Sequence, residues 1–177
     1  MRTALLLLLL MADAAVAAPA VAPSNLVQRG ELVYAVGADK PFNGVVTRSY
    51  PDGTKRMEIP YLDGRKHGVL QTWHENGKLA GEASYQFGVR DGKTINYHQN
   101  GQTWYEEYFS KGKRHGPCAY WYPNGKMKSR MEYKDGQLQG ELTVWHENGK
   151  KQYSTRYENG VEIGPSSEWD EKGHPVK

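Results

Sequence analysis

Histidine is the commonest metal ligand and a frequent general base, and this chain has six: His67, His74, His98, His115, His146 and His174. Three of them, His74, His98 and His146, share one phase of a 24-residue period, with Tyr50, Tyr122 and Asp170 at the same phase. A zinc site with bonds of about 2.0–2.1 Å needs its donor atoms within about 4 Å of one another. If each period is a hairpin, equivalent positions lie two strand spacings apart, roughly 9.5 Å, and such a ladder cannot close on one metal. His67 and His115, two periods apart, are worse placed. The spacing predicts structural or surface histidines, with no metal and no cofactor. A nucleophile is equally hard to place, because the chain has no Gly-x-Ser-x-Gly elbow and no Cys–His setting. The lone Cys118 takes a strand position that Leu70, Thr94 and Leu142 fill in other periods, as a small packing residue does. Glu106 and Glu107 point to opposite faces of a strand and cannot work as an acid–base pair. No catalytic residue is expected.

The period itself is carried by glycine. Gly44, Gly68, Gly92, Gly116, Gly140 and Gly164 form one series, Gly53, Gly77, Gly101, Gly125, Gly149 and Gly173 a second, and Gly64, Gly88, Gly112, Gly136 and Gly160 a third, all at a spacing of 24 residues. A fixed period of this length means one supersecondary unit stacked on copies of itself. Each unit holds two runs of strand composition separated by Asn-Gly or Asp-Gly, the strongest short-range hairpin signal. The third series marks the return to the next hairpin. The predicted fold is all-β, an elongated antiparallel meander of tandem hairpins with about eleven strands and little or no helix.

Side-chain parity refines the unit. In the fourth hairpin one parity of the second strand carries Met127, Ser129, Met131 and Tyr133, and the other carries Lys126, Lys128, Arg130 and Glu132. Placing the first set on the same face as the column Trp73, Tyr97, Trp121 and Trp145 requires a loop with an odd number of residues. A three-residue turn such as Glu75-Asn76-Gly77, closed by a left-handed glycine, meets that requirement, and Gly53, Gly77, Gly101, Gly125 and Gly149 become the structural turn residues. Aromatic ladders, the column just named with Trp169 and the column Tyr61, Tyr85, Phe109, Tyr133 and Tyr157, replace an aliphatic core.

Ahead of the repeats stands a different kind of segment. A positive head at Arg2, an apolar run with six consecutive leucines and the small residues Ala15 to Ala18 have the pattern of a cleavable secretory leader over residues 1–18. The run is about half of the roughly 20 residues a membrane span requires, so no stable membrane insertion is expected. The sole cysteine lies far from any cleavage site, which excludes lipid attachment there, and a single thiol forms no internal disulfide. A periplasmic or secreted protein follows, with residues 19–41 as N-terminal segment and cap and residues 42–177 as six repeats, the first degenerate and the last stopping after one strand. The formal charge of +3 is spread as interleaved Lys, Arg, Asp and Glu, unlike the one-sided basic stripe of a nucleic-acid binder.

Hairpins with the pattern aromatic-aromatic-x-Asn-Gly-Lys and a Tyr-x-x-Gly return resemble MORN repeats. The Trp-His-Glu-Asn-Gly-Lys form at Trp73 to Lys78 and Trp145 to Lys150 is similar to the bacterial variant in the YwqK-type antitoxin family, over about residues 42–173. The resemblance implies a scaffold that binds a protein partner, a toxin or secreted effector, and in an exported copy an immunity protein. An enclosed small-molecule site is not what such a sheet offers. A cell-wall or glycan-binding role through exposed rings is the rival, and no amphipathic basic helix supports lipid contact. Trp104 and Tyr108, on the otherwise polar parity of their strand, with Tyr120 and Tyr122 from the triple run Tyr120-Trp121-Tyr122, are the candidate contact residues.

Overall fold

The computed structural model describes residues 20–176, and the leader expected at residues 1–18 lies outside them. Six hairpins follow in chain order: Gly44–Ser49 with Lys55–Leu62, Gly68–Trp73 with Leu79–Gln86, Val89–Tyr97 with Thr103–Ser110, Gly116–Trp121 with Met127–Lys134, Gln137–Trp145 with Lys151–Glu158, and Val161–Trp169 with Pro175–Val176. Each strand pairs antiparallel with its sequence neighbour in a single sheet, the meander that the glycine periods predict. Among the described residues the only helical element is the single turn Pro23–Asn25. Two details correct the sequence reading. The sheet has 15 strands because short strands Arg65–Lys66 and Lys113–Arg114 are split off ahead of Gly68 and Gly116, and Ala20–Val21 adds a parallel edge. The sixth unit also returns, Glu168 and Trp169 pairing with Val176 and Pro175, so it does not stop after one strand.

The hairpin turn has the three-residue form. The Gly77 N–H donates to the His74 carbonyl at 2.9 Å, the His74 N–H donates to the Lys78 carbonyl at 2.9 Å, and Gly77 has φ +78°. The pattern repeats at Gly53, Gly101, Gly125, Gly149 and Gly173, where a β-carbon would strain a left-handed backbone. The return turns, Asp63-Gly64, Phe87-Gly88, Lys111-Gly112, Asp135-Gly136 and Asn159-Gly160, hold both residues at positive φ. This mirror-image two-residue turn matches the twist of the strands it joins.

The turn is the three-residue one expected from side-chain parity, but the second strand does not keep its apolar set on the tryptophan side. Just past each turn the second strand carries one more residue than its partner. Trp73 pairs with Leu79 but Thr72 with Gly81, which leaves Ala80 over. Tyr97 pairs with Thr103 and Asn96 with Tyr105, leaving Trp104, and Trp121 pairs with Met127 and Tyr120 with Ser129, leaving Lys128. Each extra residue is a β-bulge that advances the alternation by one. Past it, Ser129, Met131 and Tyr133 share a face with Tyr120 and Cys118, while Trp121 faces the other way with Met127. The two aromatic ladders therefore lie on opposite sides, a tryptophan face (Trp73, Tyr97, Trp121, Trp145, Trp169) and a tyrosine face (Tyr61, Tyr85, Phe109, Tyr133, Tyr157).

Burial in this open sheet is shallow and falls mostly on small side chains of the tyrosine face, including Ala83, Thr94, Cys118, Ser129 and Thr155. Among the described residues an aliphatic core forms only near the N-terminal end of the sheet. There Leu26–Arg29 and Leu32–Ala35 make a separate two-stranded sheet, whose Leu26 and Val33 pack on Phe42, Val46 and Ile59. The Val33 N–H donates to the Gly64 carbonyl at 3.0 Å and the Phe42 N–H to the Val33 carbonyl at 2.8 Å, which fixes this cap hairpin over the tyrosine face of the first repeat. In the first repeat the cover buries Val46 and Ile59, a pair of branched aliphatic residues that no later repeat has together at these two phases.

Candidate functional site

His74, His98 and His146 belong to a spine of stacked turns. His74 Nε2 lies 3.0 Å from the Tyr97 carbonyl, His98 Nε2 3.1 Å from that of Trp121, and His146 Nε2 2.8 Å from that of Trp169. A carbonyl only accepts, so each ring carries its proton on Nε2. Where the phase holds tyrosine, the hydroxyl donates instead, Tyr50 to the Trp73 carbonyl and Tyr122 to the Trp145 carbonyl, both at 2.8 Å. The asparagine of each turn works in two directions. Asn124 Oδ1 accepts from the Lys126 N–H at 2.9 Å, closing its own turn, while Asn124 Nδ2 donates to the Glu147 carbonyl of the next. Lysine adds a third link, Lys126 Nζ to the Asn148 carbonyl at 2.9 Å. His, Asn and Lys of the Trp-His-Glu-Asn-Gly-Lys pattern are thus fastened to the following hairpin. Asp170 ends the series, accepting from the Lys172 and His174 N–H groups of its own turn.

Sequence comparison agrees with this geometry. The MORN repeat variant matches at residues 66–86, 90–111, 114–135 and 138–159. The chain carries tandem MORN repeats. The matched copies coincide with the second to fifth hairpins. No curated protein shows significant similarity to the chain. Because the MORN spine uses hydrogen bonds at every turn, its loss is graded: Tyr122→Phe removes one donor from the Trp145 carbonyl and is expected to cost about 1 kcal/mol, measured as a lower urea midpoint at unchanged slope.

Residues that the MORN scaffold needs recur every 24 positions, so residues that break the pattern point to something else. Four of them, Trp104, Tyr105, Glu107 and Tyr120, meet on the tyrosine face of the third and fourth hairpins. At the phase where Ile59, Ala83, Met131 and Thr155 stand, the third hairpin has Glu107, 4% exposed. Its carboxylate accepts from Arg114 Nε at 2.8 Å and lies 3.7 Å from Arg90 Nη1. Arg90 packs over the Phe109 ring at 5.0 Å and Arg114 over Tyr133 at 5.3 Å. Beside this group Tyr105 and Tyr120 pair across the strands with ring centroids 5.5 Å apart, and Trp104 stands edge-on to Tyr105 at 5.2 Å. Burial pushes the Tyr120 hydroxyl up to about 12, helped by Cys118 and Glu107, so it remains a neutral donor. Burial and the Glu107 charge likewise raise the Cys118 thiol to about 11, which leaves it protonated and unreactive at neutral pH.

The four candidate aromatics separate. Trp104 is the bulge residue of its hairpin and is 48% exposed on the tyrosine face. Tyr120 is half-buried in the same cluster, and Tyr122 belongs to the spine. Tyr108, expected on the same parity as Trp104, lies on the opposite face because the bulge falls between them. There its hydroxyl donates to Glu106 at 2.8 Å, and Lys93 Nζ reaches the same carboxylate at 2.9 Å. Burial alone lifts the Glu106 carboxyl, but the Lys93 and Tyr108 hydrogen bonds outweigh it and hold the group below the usual carboxylate range. Glu106 and Glu107 do point apart. Tyr105, Glu107, Arg90 and Arg114 were not singled out from sequence. A column-by-column comparison of the repeats flags Tyr105 and Glu107 as departures, whereas the arginines become significant only once the fold sets them against Glu107.

Proposed function

We propose that this chain is an exported, non-enzymatic scaffold that binds a protein partner through the tyrosine face of its third and fourth hairpins. One observation carries the reading: the recurrent residues are consumed in stacking the hairpins, while the non-recurrent aromatic and charged residues collect at one place on one face. Large rings and arginines at the centre of a patch are the groups that carry binding energy in protein interfaces. Neutralisation of a toxin, with the chain acting as an immunity protein in the periplasm, is the most specific form of the proposal, supported by the likeness of Trp73 to Lys78 and Trp145 to Lys150 to the YwqK-type antitoxins. The leader pattern of residues 1–18 supports export.

The test is a pull-down from the native envelope fraction with residues 19–177 as bait, followed by mass spectrometry. One stoichiometric protein, above all a toxic hydrolase, is the expected result. No protein, with retention on purified cell wall instead, would replace it by the glycan reading, which the exposed Trp104 ring beside Tyr105 favours. Trp104→Ala is expected to weaken capture at least about tenfold, as a hot-spot truncation does. Its effect on stability should stay within about 0.5 kcal/mol for an exposed side chain. Tyr108→Ala, on the far face, should leave capture unchanged, and the reverse pattern would move the interface to the tryptophan face.

A further inference from the structure

The tyrosine face carries a second pattern, close to the return turns. Each ring of its ladder pairs directly with a residue of the next hairpin: Tyr61 with Lys66, Tyr85 with Arg90, Phe109 with Arg114, Tyr133 with Leu138 and Tyr157 with Glu162. The three cations also lean over the following ring, Lys66 over Tyr85 at 5.3 Å, Arg90 over Phe109 at 5.0 Å and Arg114 over Tyr133 at 5.3 Å. Rings and cations thus alternate in one row across the strands. Only one of the three charges is answered by the protein, because both arginines share the single carboxylate of Glu107. Their side chains remain 40% and 45% exposed, and among the described residues the Arg114 Nη groups have no protein partner. The row then turns neutral at Leu138 and acidic at Glu162, whose carboxylate accepts from Thr155 at 2.7 Å and Tyr153 at 3.2 Å.

We propose that the row Lys66, Arg90 and Arg114 takes an acidic segment of the protein partner, presenting one carboxylate to each of three successive hairpins. The inference rests on the protein-binding reading above and adds the chemistry of the partner. Cations on neighbouring hairpins are about 9.5 Å apart, two strand spacings. A segment in the polyproline II conformation, with three residues per turn at about 3.1 Å each, puts an acidic side chain at every third position on one side at intervals of about 9.3 Å, a close match. Guanidinium groups that are weakly hydrated and half-covered by rings favour carboxylates in this setting. The flanks select against a flat anionic surface: the cap hairpin, with Glu31 paired to Arg65 at 3.2 Å, covers this face at one end, and Glu162 repels anions at the other. The same polarity sets direction, the acidic part of the segment lying over the second to fourth hairpins.

The test uses a labelled peptide with glutamate at every third position in a Ser/Gly background, its lysine counterpart, and vesicles of equal parts phosphatidylserine and phosphatidylcholine, each titrated with the purified protein. Binding of the glutamate peptide alone, weakening as salt rises, is expected. Removing Arg90 and Arg114 would strand the Glu107 charge, so the loss-of-function variant is Lys66→Gln with Arg90→Gln, Glu107→Gln and Arg114→Gln, checked by its melting temperature. It should bind the peptide at least about tenfold more weakly. Leu138→Arg extends the row, leaves the Glu107 cluster intact, and should tighten binding about twofold to fivefold, the range for one added exposed ion pair. No binding of the glutamate peptide, equal binding of the lysine peptide, no change in either variant, or binding of vesicles in place of the peptide would each overturn the proposal. The pull-down separates the two readings. A captured partner that binds the quadruple variant as well as the parent leaves protein binding standing without the acidic row, whereas peptide binding with no partner captured does the opposite.

Discussion

Replacing both Arg90 and Arg114 with alanine is expected to destabilise the protein by about 3–5 kcal/mol, the cost of leaving a buried carboxylate without its cations. Glu107 is 4% exposed, and Arg90 and Arg114 are the cations that lie within 4 Å of its carboxylate. The cause is testable by rescue. Glu107→Met installs the residue that Met131 supplies at the same phase of the next repeat, and with the charge gone the arginines have nothing to compensate. The triple variant should therefore recover most of the loss, leaving only the packing of two cations over Phe109 and Tyr133, each worth about 0.5–1 kcal/mol at such partly exposed sites. Glu107→Met alone should be neutral or stabilising, since buried ion pairs rarely outperform apolar residues of similar volume. Urea titration of the four proteins closes the cycle. A triple variant no more stable than the double would show that the arginines act by packing and not through Glu107.

The second large effect runs against the repeat pattern. At the phase of Gly81 the other hairpins carry Met57, Tyr105, Ser129 and Tyr153, so averaging the repeats recommends Gly81→Tyr as an improvement. Gly81 is buried and has an ordinary strand backbone, and conformation does not oppose the change. Space does: a β-carbon there would run into the Asn96 side chain and stand 3.1 Å from the Ile95 carbonyl. Gly81→Tyr is expected to cost about 1–3 kcal/mol, as overpacking does. Asn96→Ala in the same chain should return a large part, because Asn96 is the direct cross-strand partner of Gly81. A thermal melt of Gly81→Tyr above that of the parent would refute the steric account.

These two cases mark how far the sequence could be read. The hairpin unit, the return turns and the order of strands followed from glycines at fixed spacing, since only a backbone needing positive φ at those places demands them, whereas the three-residue turn was expected from a parity of faces that the bulges overturn. The ladder of His74, His98 and His146 at equivalent turn positions followed from the same spacing. The distribution of residues between faces did not. A bulge one residue long sits where the sequence shows only Arg56, Ala80, Trp104, Lys128 or Gln152, side chains with nothing in common. Its cause lies in the pairing of two strands and not in the chemistry of the inserted residue. That single insertion set Trp104 and Tyr108 on opposite faces and brought Tyr105, Tyr120 and Glu107 together.

By itself, then, the sequence determined the architecture of this protein, because turn geometry is local and each glycine acts within a few residues of its position. Only the tertiary structure decided which side chains share a surface, because cross-strand register depends on pairs of residues from separate strands. Arg90 and Arg114 are unremarkable in their own repeats. They become a site when the sheet sets one residue of each on either side of a buried carboxylate.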